Sequence, residues 1–340
     1  MPLALYMEGY LGEPFGKMGY GCLRYSPGPI ACIVDSRFAG QYLHEAFPDL
    51  QPSFREKIPI VAGIAECAPV GAQALVLGIA PPGGRIPVEW YSMIEHALEE
   101  GLLVVNGLHE ALSARFPQAK ELIWDVRQEP EGLEPGTGAA GKLSNRRILM
   151  IGTDMAVGKM TSGLEIWREA RARGIDAGFV ATGQIGITVT GAGVPLDAIR
   201  VDYATGAIER ETLANADKEW VIIEGQGALI HPGSTSTLPL LRGSCATDLI
   251  LCCRGGQTTL SRQKDIAIPP LLKYAKLYED LGEACGAFPR PRTAGIAVNT
   301  FHLSESEALD AIARIANETG LPTCDPVRQG AAILVDALAT

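Results

Sequence analysis

No stretch of this chain approaches the ~18 uninterrupted apolar residues of a membrane-spanning helix, so it offers no transmembrane candidate. The segment Met1–Glu8 has neither a basic start nor a long apolar run, and no signal peptide is expected. Positive charge is in deficit: 29 Lys and Arg stand against 39 Asp and Glu, a formal net charge of −10. That balance argues against a nucleic-acid or membrane-surface partner, and any anion site must be built locally from loops and a few cations. None of the 8 cysteines forms a C-x-x-C pair, and no His/Cys/Asp grouping has zinc spacing, so no metal ligands are assigned. Reduced, buried thiols in a cytoplasmic protein are the expectation. A G-x-S-x-G nucleophile elbow is also missing.

What the chain has is length and apolar content: 340 residues, 47% of them hydrophobic, enough for two α/β cores. Strand candidates in the first half are Ile30–Asp35, Ile58–Gly63, Ala74–Ala80 and Leu102–Asn106, with helices at Val88–Glu100 and His109–Phe116. Such alternation predicts a parallel sheet flanked by helices. The Pro-Pro-Gly-Gly segment after Ala80 leaves a strand end, a weak nucleotide-like signal without an accompanying G-x-G-x-x-G. Residues 1–126 are expected to form one domain, 127–145 a Pro/Gly-rich linker, and 146–340 a second domain. In that second domain strands are expected at Arg147–Ile151, Gly178–Thr182, Trp220–Glu224, Asp248–Cys253 and Thr293–Val298. Helices are expected over 159–173, 205–216, 269–284 and 304–319.

The apolar run Ile148–Ile151 leads into Gly152, Thr153, Asp154, Met155, Ala156, Val157, Gly158, Lys159, Met160 and Thr161, and then into an amphipathic helix. A strand, a glycine loop with lysine and a helix bend main-chain N–H groups around a phosphate, while the lysine adds a mobile positive charge. The loop has five residues between its glycines, one more than the common phosphate loop, and its hydroxyl residue falls at Thr161 instead of directly after the lysine. That hydroxyl normally meets Mg²⁺, so the spacing weakens a metal–ATP reading more than a phosphate reading and leaves Mg²⁺ open.

A second strand end carries Glu224 in Val221–Gly227. It suits a metal carboxylate, a proton acceptor or a plain turn carboxylate. The glycine- and hydroxyl-rich segment 181–193, with Gln184, reads as a ligand-lining loop. His231 follows closely and is a candidate base or orienting group. Asp35, at a strand end, reads either as a substrate contact or as a helix cap for Ser36. In Phe288-Pro-Arg290-Pro-Arg292 the prolines hold two arginines in an extended segment; they read either as a grip on a carboxylate or phosphate or, more plainly, as a solvated strand entry.

Two family resemblances rest on these motifs. The loop 152–159 and the segment 223–227 resemble dethiobiotin synthetase and its P-loop relatives. This chain departs from them at Met160, where they have a hydroxyl, and at Val180–Ile185, where they have a substrate lysine. A closer resemblance runs over almost the whole chain, through residues 152–161, 179–186, 191–198 and 223–232. It is to a long-uncharacterised two-domain bacterial and archaeal family with a Rossmann-like N-terminal domain and a P-loop NTPase-like, doubly wound C-terminal domain. That resemblance implies N-acetylation of D-glutamate by acetyl-CoA in D-amino-acid catabolism. On the physical reading compatible with it, loop 152–161 holds the cosubstrate's phosphates and Glu224 or His231 takes the proton, with Gln184, Lys17 and Asp35 as candidate amino-acid contacts. The expected partners are small molecules, in a homo-oligomer. The competing expectations are an ATP- and Mg²⁺-dependent ligase or kinase, and a nucleotide-binding regulatory protein.

Overall fold

The computed structural model describes residues 1–48 and 57–340. In chain order the elements are β1 Leu3–Tyr6, α1 Lys17–Tyr25, β2 Ile30–Val34, α2 Leu43–Ala46, β3 Ile60–Val61, β4 Ala74–Leu77, α3 Trp90–Glu99, β5 Leu103–Asn106, α4 Leu112–Arg115 and β6 Ile123–Asp125. There follow β7 Arg146–Gly152, α5 Lys159–Ala172, β8 Ala177–Val180, α6 Gln184–Thr190, α7 Val201–Leu213, β9 Trp220–Ile223, α8 Thr237–Ser244, β10 Asp248–Arg254, α9 Leu271–Glu283, β11 Arg292–Asn299, α10 Glu305–Thr319, β12 Thr323–Cys324 and α11 Ala332–Ala339. These divide into two compact units, Met1–Glu129 with Gln184–Ala198, and Pro130–Gly183 with Ile199–Thr340.

The first unit holds a six-stranded parallel sheet among the described residues, ordered β3-β2-β1-β4-β5-β6. Its centre is β1, a four-residue strand that the sequence reading passes over. Ala4, Leu5 and Tyr6 are buried on both faces, so the strand shows no alternation of apolar and polar residues. Between β1 and β4 the chain reverses its winding direction, the place where open α/β sheets bind ligands. Here Met7 fills that crevice: side chains added at Gly16 or Gly19 would run into its thioether.

The segment 181–193 is not a loop throughout, as the glycines suggest. Gln184–Thr190 is helical, although Ile, Thr, Val and Gly are poor helix formers. Packing decides the matter, because bare Gly21 of α1 admits Ile185 against its Cα.

The second unit holds a sheet ordered β12-β11-β10-β7-β9-β8, again parallel and six-stranded among the described residues. Its core joins Ile148 and Met150 of β7, Ile222 of β9, Ile250 of β10 and Leu334 of α11. Arg147 is 1% exposed and has its guanidinium bonded to the carbonyls of Leu143, Asn145, Ser244 and Cys245. The Pro/Gly-rich stretch before β7 is held to this unit. The buried carboxylate of Glu209 accepts from Thr137 N–H (2.8 Å) and Oγ1 (3.0 Å), with further bonds from the N–H groups of Ala139 and Ala140. The N–H groups of Thr137, Ala139 and Ala140 thus form a nest for an internal carboxylate.

Candidate functional site

The phosphate loop sits between β7 and α5 at the carboxyl edge of the second sheet. Gly158, with φ of 101°, turns the chain into the helix, and Ala156 is held at φ of 53°, a conformation that costs a non-glycine residue energy. Lys159 is 6% exposed, and its Nζ donates to the carbonyl of Asp154 at 2.9 Å. Burial pulls its pKa down to about 8, partly offset by Cys252, Asp154 and Glu224. The hydroxyl of Thr153 is buried without a hydrogen-bond partner inside this loop.

Asp154 proves to be the brace of the loop. Its Oδ1 accepts from Met155 N–H (2.7 Å), and its Oδ2 accepts from Ser261 N–H (2.7 Å), Ser261 Oγ (2.6 Å) and Gln257 Nε2 (2.7 Å). Burial raises the carboxyl's pKa, but these donors outweigh it and hold the group below the ordinary aspartate value. Thus the segment after β10 is tied onto the phosphate loop.

Glu224, 3% exposed, follows β9, the strand beside β7. Its Oε2 accepts from Thr182 N–H (2.9 Å) and Gly183 N–H (3.1 Å), and its carbonyl accepts from Thr182 Oγ1. Gly225 lies against the carbonyl of Met150 and 2.9 Å from Lys159 Cδ, measured from where a Cβ would stand. Glycine therefore brings the carboxylate strand and the lysine together.

His231 Nδ1 accepts from Gly233 N–H (3.1 Å), which places the ring proton on Nε2 in the neutral form. The turn that holds it is fixed from α9: Tyr274 Oη accepts from Ile230 N–H (3.4 Å) and donates to the carbonyl of Gly152 (3.2 Å). Tyr278 Oη accepts from Leu229 N–H (3.2 Å). The two rings meet edge to face at 5.2 Å. Nothing in the sequence marks these tyrosines, since their spacing is simply that of a buried helix face.

The other candidates lie in the first unit. Asp35 is fully buried and takes the capping alternative, accepting from Arg37 N–H and pairing with the Arg37 guanidinium at 2.7 Å, while its Oδ2 also accepts from Leu11 N–H. Lys17 opens α1 and is exposed. Gln184 opens α6 and packs beside Gly107. In the same unit Arg127 pairs with Asp197. Arg290 and Arg292 are spent on carboxylates of their own unit: Glu279, Asp280 and Glu283 for the first, Asp248 for the second. Among the described residues no group of three or more His, Cys, Asp or Glu side chains is placed to hold a metal ion.

Strand ends also bring residues that the motifs did not mark. Arg254, last in β10, donates from Nη2 to the carbonyl of Ala156 at 3.3 Å. Asn299, last in β11, has its side-chain amide beside Gly158. Because ligands gather at the carboxyl ends of parallel strands, the end of the Asp248–Cys253 strand was the available signal for Arg254.

Comparison with known proteins agrees with this architecture. Residues 36–129 match a Rossmann-like domain of unknown function, DUF1611_N, and residues 134–335 match the P-loop domain of unknown function, DUF1611_C. A protein from Tritonibacter scottomollicae named D-glutamate N-acetyltransferase is 39% identical over 283 residues, 81% of this chain and 84% of its own length. One of the same name from a Pseudoalteromonas species is 33% identical over 275 residues, 78% of this chain and 81% of its own. The crystal structure of a DUF1611 family protein from Anabaena variabilis superposes with a TM-score of 0.91 at 43% identity, covering 99% of both chains. The chain belongs to the DUF1611 family, a Rossmann-like N-terminal domain joined to a P-loop C-terminal domain.

Proposed function

We propose that this chain is an acetyl-CoA-dependent N-acetyltransferase that acts on an acidic amino acid, D-glutamate, to give N-acetyl-D-glutamate in D-amino-acid catabolism. The name borne by two relatives at 39% and 33% identity supports the chemistry. The structural observation that carries it is the junction of the Lys159 loop with the Glu224 strand through Gly225, which puts a phosphate cradle beside a buried carboxylate.

The residues fit a diphosphate: main-chain N–H groups at the start of α5, the Lys159 ammonium and the orphaned Thr153 hydroxyl all belong to one loop. They suit Mg²⁺–ATP poorly. Met160 stands where an oxygen ligand is needed, and the Asp154 carboxylate is already spent on Ser261, Gln257 and Met155.

Acetyl-CoA supplies a thioester acyl group. The amino-acid ammonium must lose a proton before its nitrogen attacks, and Glu224 accepts it. His231 is the second candidate acceptor, its Nδ1 already taken by Gly233 N–H as Glu224 Oε2 is by the N–H groups of Thr182 and Gly183. As the C–N bond forms and the C–S bond breaks, main-chain N–H groups of the glycine segments bond the charge that develops on the acyl oxygen. That effect is typically worth about 3 kcal/mol per donor. The second ammonium proton goes to the departing sulfur. The 8 free cysteines suit a reducing compartment such as the cytoplasm.

The test is release of free thiol from acetyl-CoA in the presence of D- or L-glutamate. Wild-type protein is expected to release thiol with D-glutamate, and Glu224→Gln to lose roughly 10²–10⁴ in kcat with little change in KM for acetyl-CoA. Turnover of ATP–Mg²⁺ with no affinity for CoA would sink the proposal.

A further inference from the structure

The two flanks of the phosphate loop differ in charge. On one side β9 brings Glu224, and β8 leads to the Thr182 and Gly183 N–H groups that bind it. On the other side, Arg254 and Asn299 are register partners at the ends of β10 and β11. Both reach the loop, Arg254 at the carbonyl of Ala156 and Asn299 beside Gly158.

The chain then continues through Gln257 and Ser261, which Asp154 ties to the same loop, and carries exposed Arg262 and Lys264 next to that tie. In a chain of net charge −10, Arg254, Arg262 and Lys264 against the exposed Asp265 leave this flank with an excess of cations. A ligand with a diphosphate in the loop and a further phosphate elsewhere is repelled from the Glu224 flank and attracted to this one. The Ala156 bond uses one of the five guanidinium N–H groups and fixes the plane of the rest.

We propose that Arg254 recognises the 3′-phosphate of coenzyme A, so that the adenosine end lies over β10 and β11 and the thioester end points toward Glu224. This rests on the acetyl-CoA reading and adds to it a direction for the ligand and a residue for its specificity. A guanidinium suits a phosphomonoester because it offers paired, permanently charged donors.

Calorimetry of the full chain with CoA and with 3′-dephospho-CoA tests it, using wild type, Arg254→Ala and Arg254→Lys, each checked for folding by thermal melting. Wild type should bind CoA about tenfold or more tightly than the dephospho form. Arg254→Ala should bind both alike, at the wild-type affinity for 3′-dephospho-CoA, and Arg254→Lys should recover part of the preference. Should Arg254→Ala fail to fold, an Arg254→Lys preference equal to wild type's overturns the inference. So does equal binding of both ligands by wild type, a preference that survives in Arg254→Ala, or an equal loss for both ligands there; each of these leaves the acetyl-CoA reading standing. Binding of neither ligand by folded wild type overturns both.

Discussion

Lys159 donates its Nζ proton to the main-chain oxygen of Asp154, 2.9 Å away, so the lysine is buried against a neutral carbonyl within its own loop. A buried ammonium that meets a carbonyl rather than an ion-paired carboxylate is costly to hold, and its pKa falls from 10.5 to about 8.

Lys159→Met should therefore stabilise the protein while removing the phosphate cradle. The shift corresponds to about 3 kcal/mol of cost in the charged form, from which losing the Asp154 bond subtracts about 1 kcal/mol. The folded pKa lies below the unfolded one, so the cost is complete below about pH 8 and fades as pH rises toward 10.5. Melting curves of both proteins from pH 7 to 10 should show the variant ahead by a few degrees at neutral pH, roughly 2–4 °C per kcal/mol, with the gap closing in alkali. A variant that melts lower at pH 7 contradicts the argument, and so does one that retains full affinity for CoA.

Asp154→Asn keeps the shape of the brace but removes its charge and turns one oxygen into a donor facing donors. Four bonds meet this carboxylate, three of them from Gln257 and Ser261. Their loss is expected to cost about 2–4 kcal/mol and to loosen the segment that follows β10. Because the folded pKa is depressed below 3.8, the stabilisation is present above that pH and disappears as pH falls through the lower folded value. Urea unfolding at pH 7 and in acid checks both halves: the gap from wild type should be wide at pH 7 and narrow below 3.8. Hydrogen exchange at 257–261 should quicken in the variant.

Most of this was visible in the chain where a local signal coincided with a packing need. The phosphate loop was visible because a glycine turn, a lysine and a helix start must be adjacent in sequence to cradle an anion. The neighbouring strand and Glu224 were visible because apolar runs end abruptly at carboxyl edges. Leu3–Tyr6 was not, since a four-residue strand whose Ala4, Leu5 and Tyr6 are buried on both faces carries no period. The helix at Gln184–Thr190 was hidden because its residues disfavour helix and only its packing against Gly21 makes one. The true role of Asp154 was also hidden, because its partners Gln257 and Ser261 lie about a hundred positions along the chain. Arg254 fell between, marked by a strand end but by no motif.

Gly225 gives the sharpest test of how the lysine and the carboxylate are brought together. A methyl group there would fall inside the contact radius of the Met150 carbonyl oxygen and 2.9 Å from Lys159 Cδ. Neither neighbour can yield cheaply: the first belongs to the central strand, and the second is the stem of a buried side chain. Gly225→Ala is expected to cost about 3 kcal/mol or more by forcing β9 from β7, and to abolish phosphate binding even where the fold survives. Gly63→Ala is the control, because Gly63 has an extended backbone and nothing within 4 Å of a built Cβ. It should lie within about 0.5 kcal/mol of wild type, or slightly above it through reduced freedom of the unfolded chain. Chemical denaturation of the two variants side by side decides the matter: equal midpoints would mean that the approach of Gly225 to Met150 and Lys159 is not what holds the two strands in place.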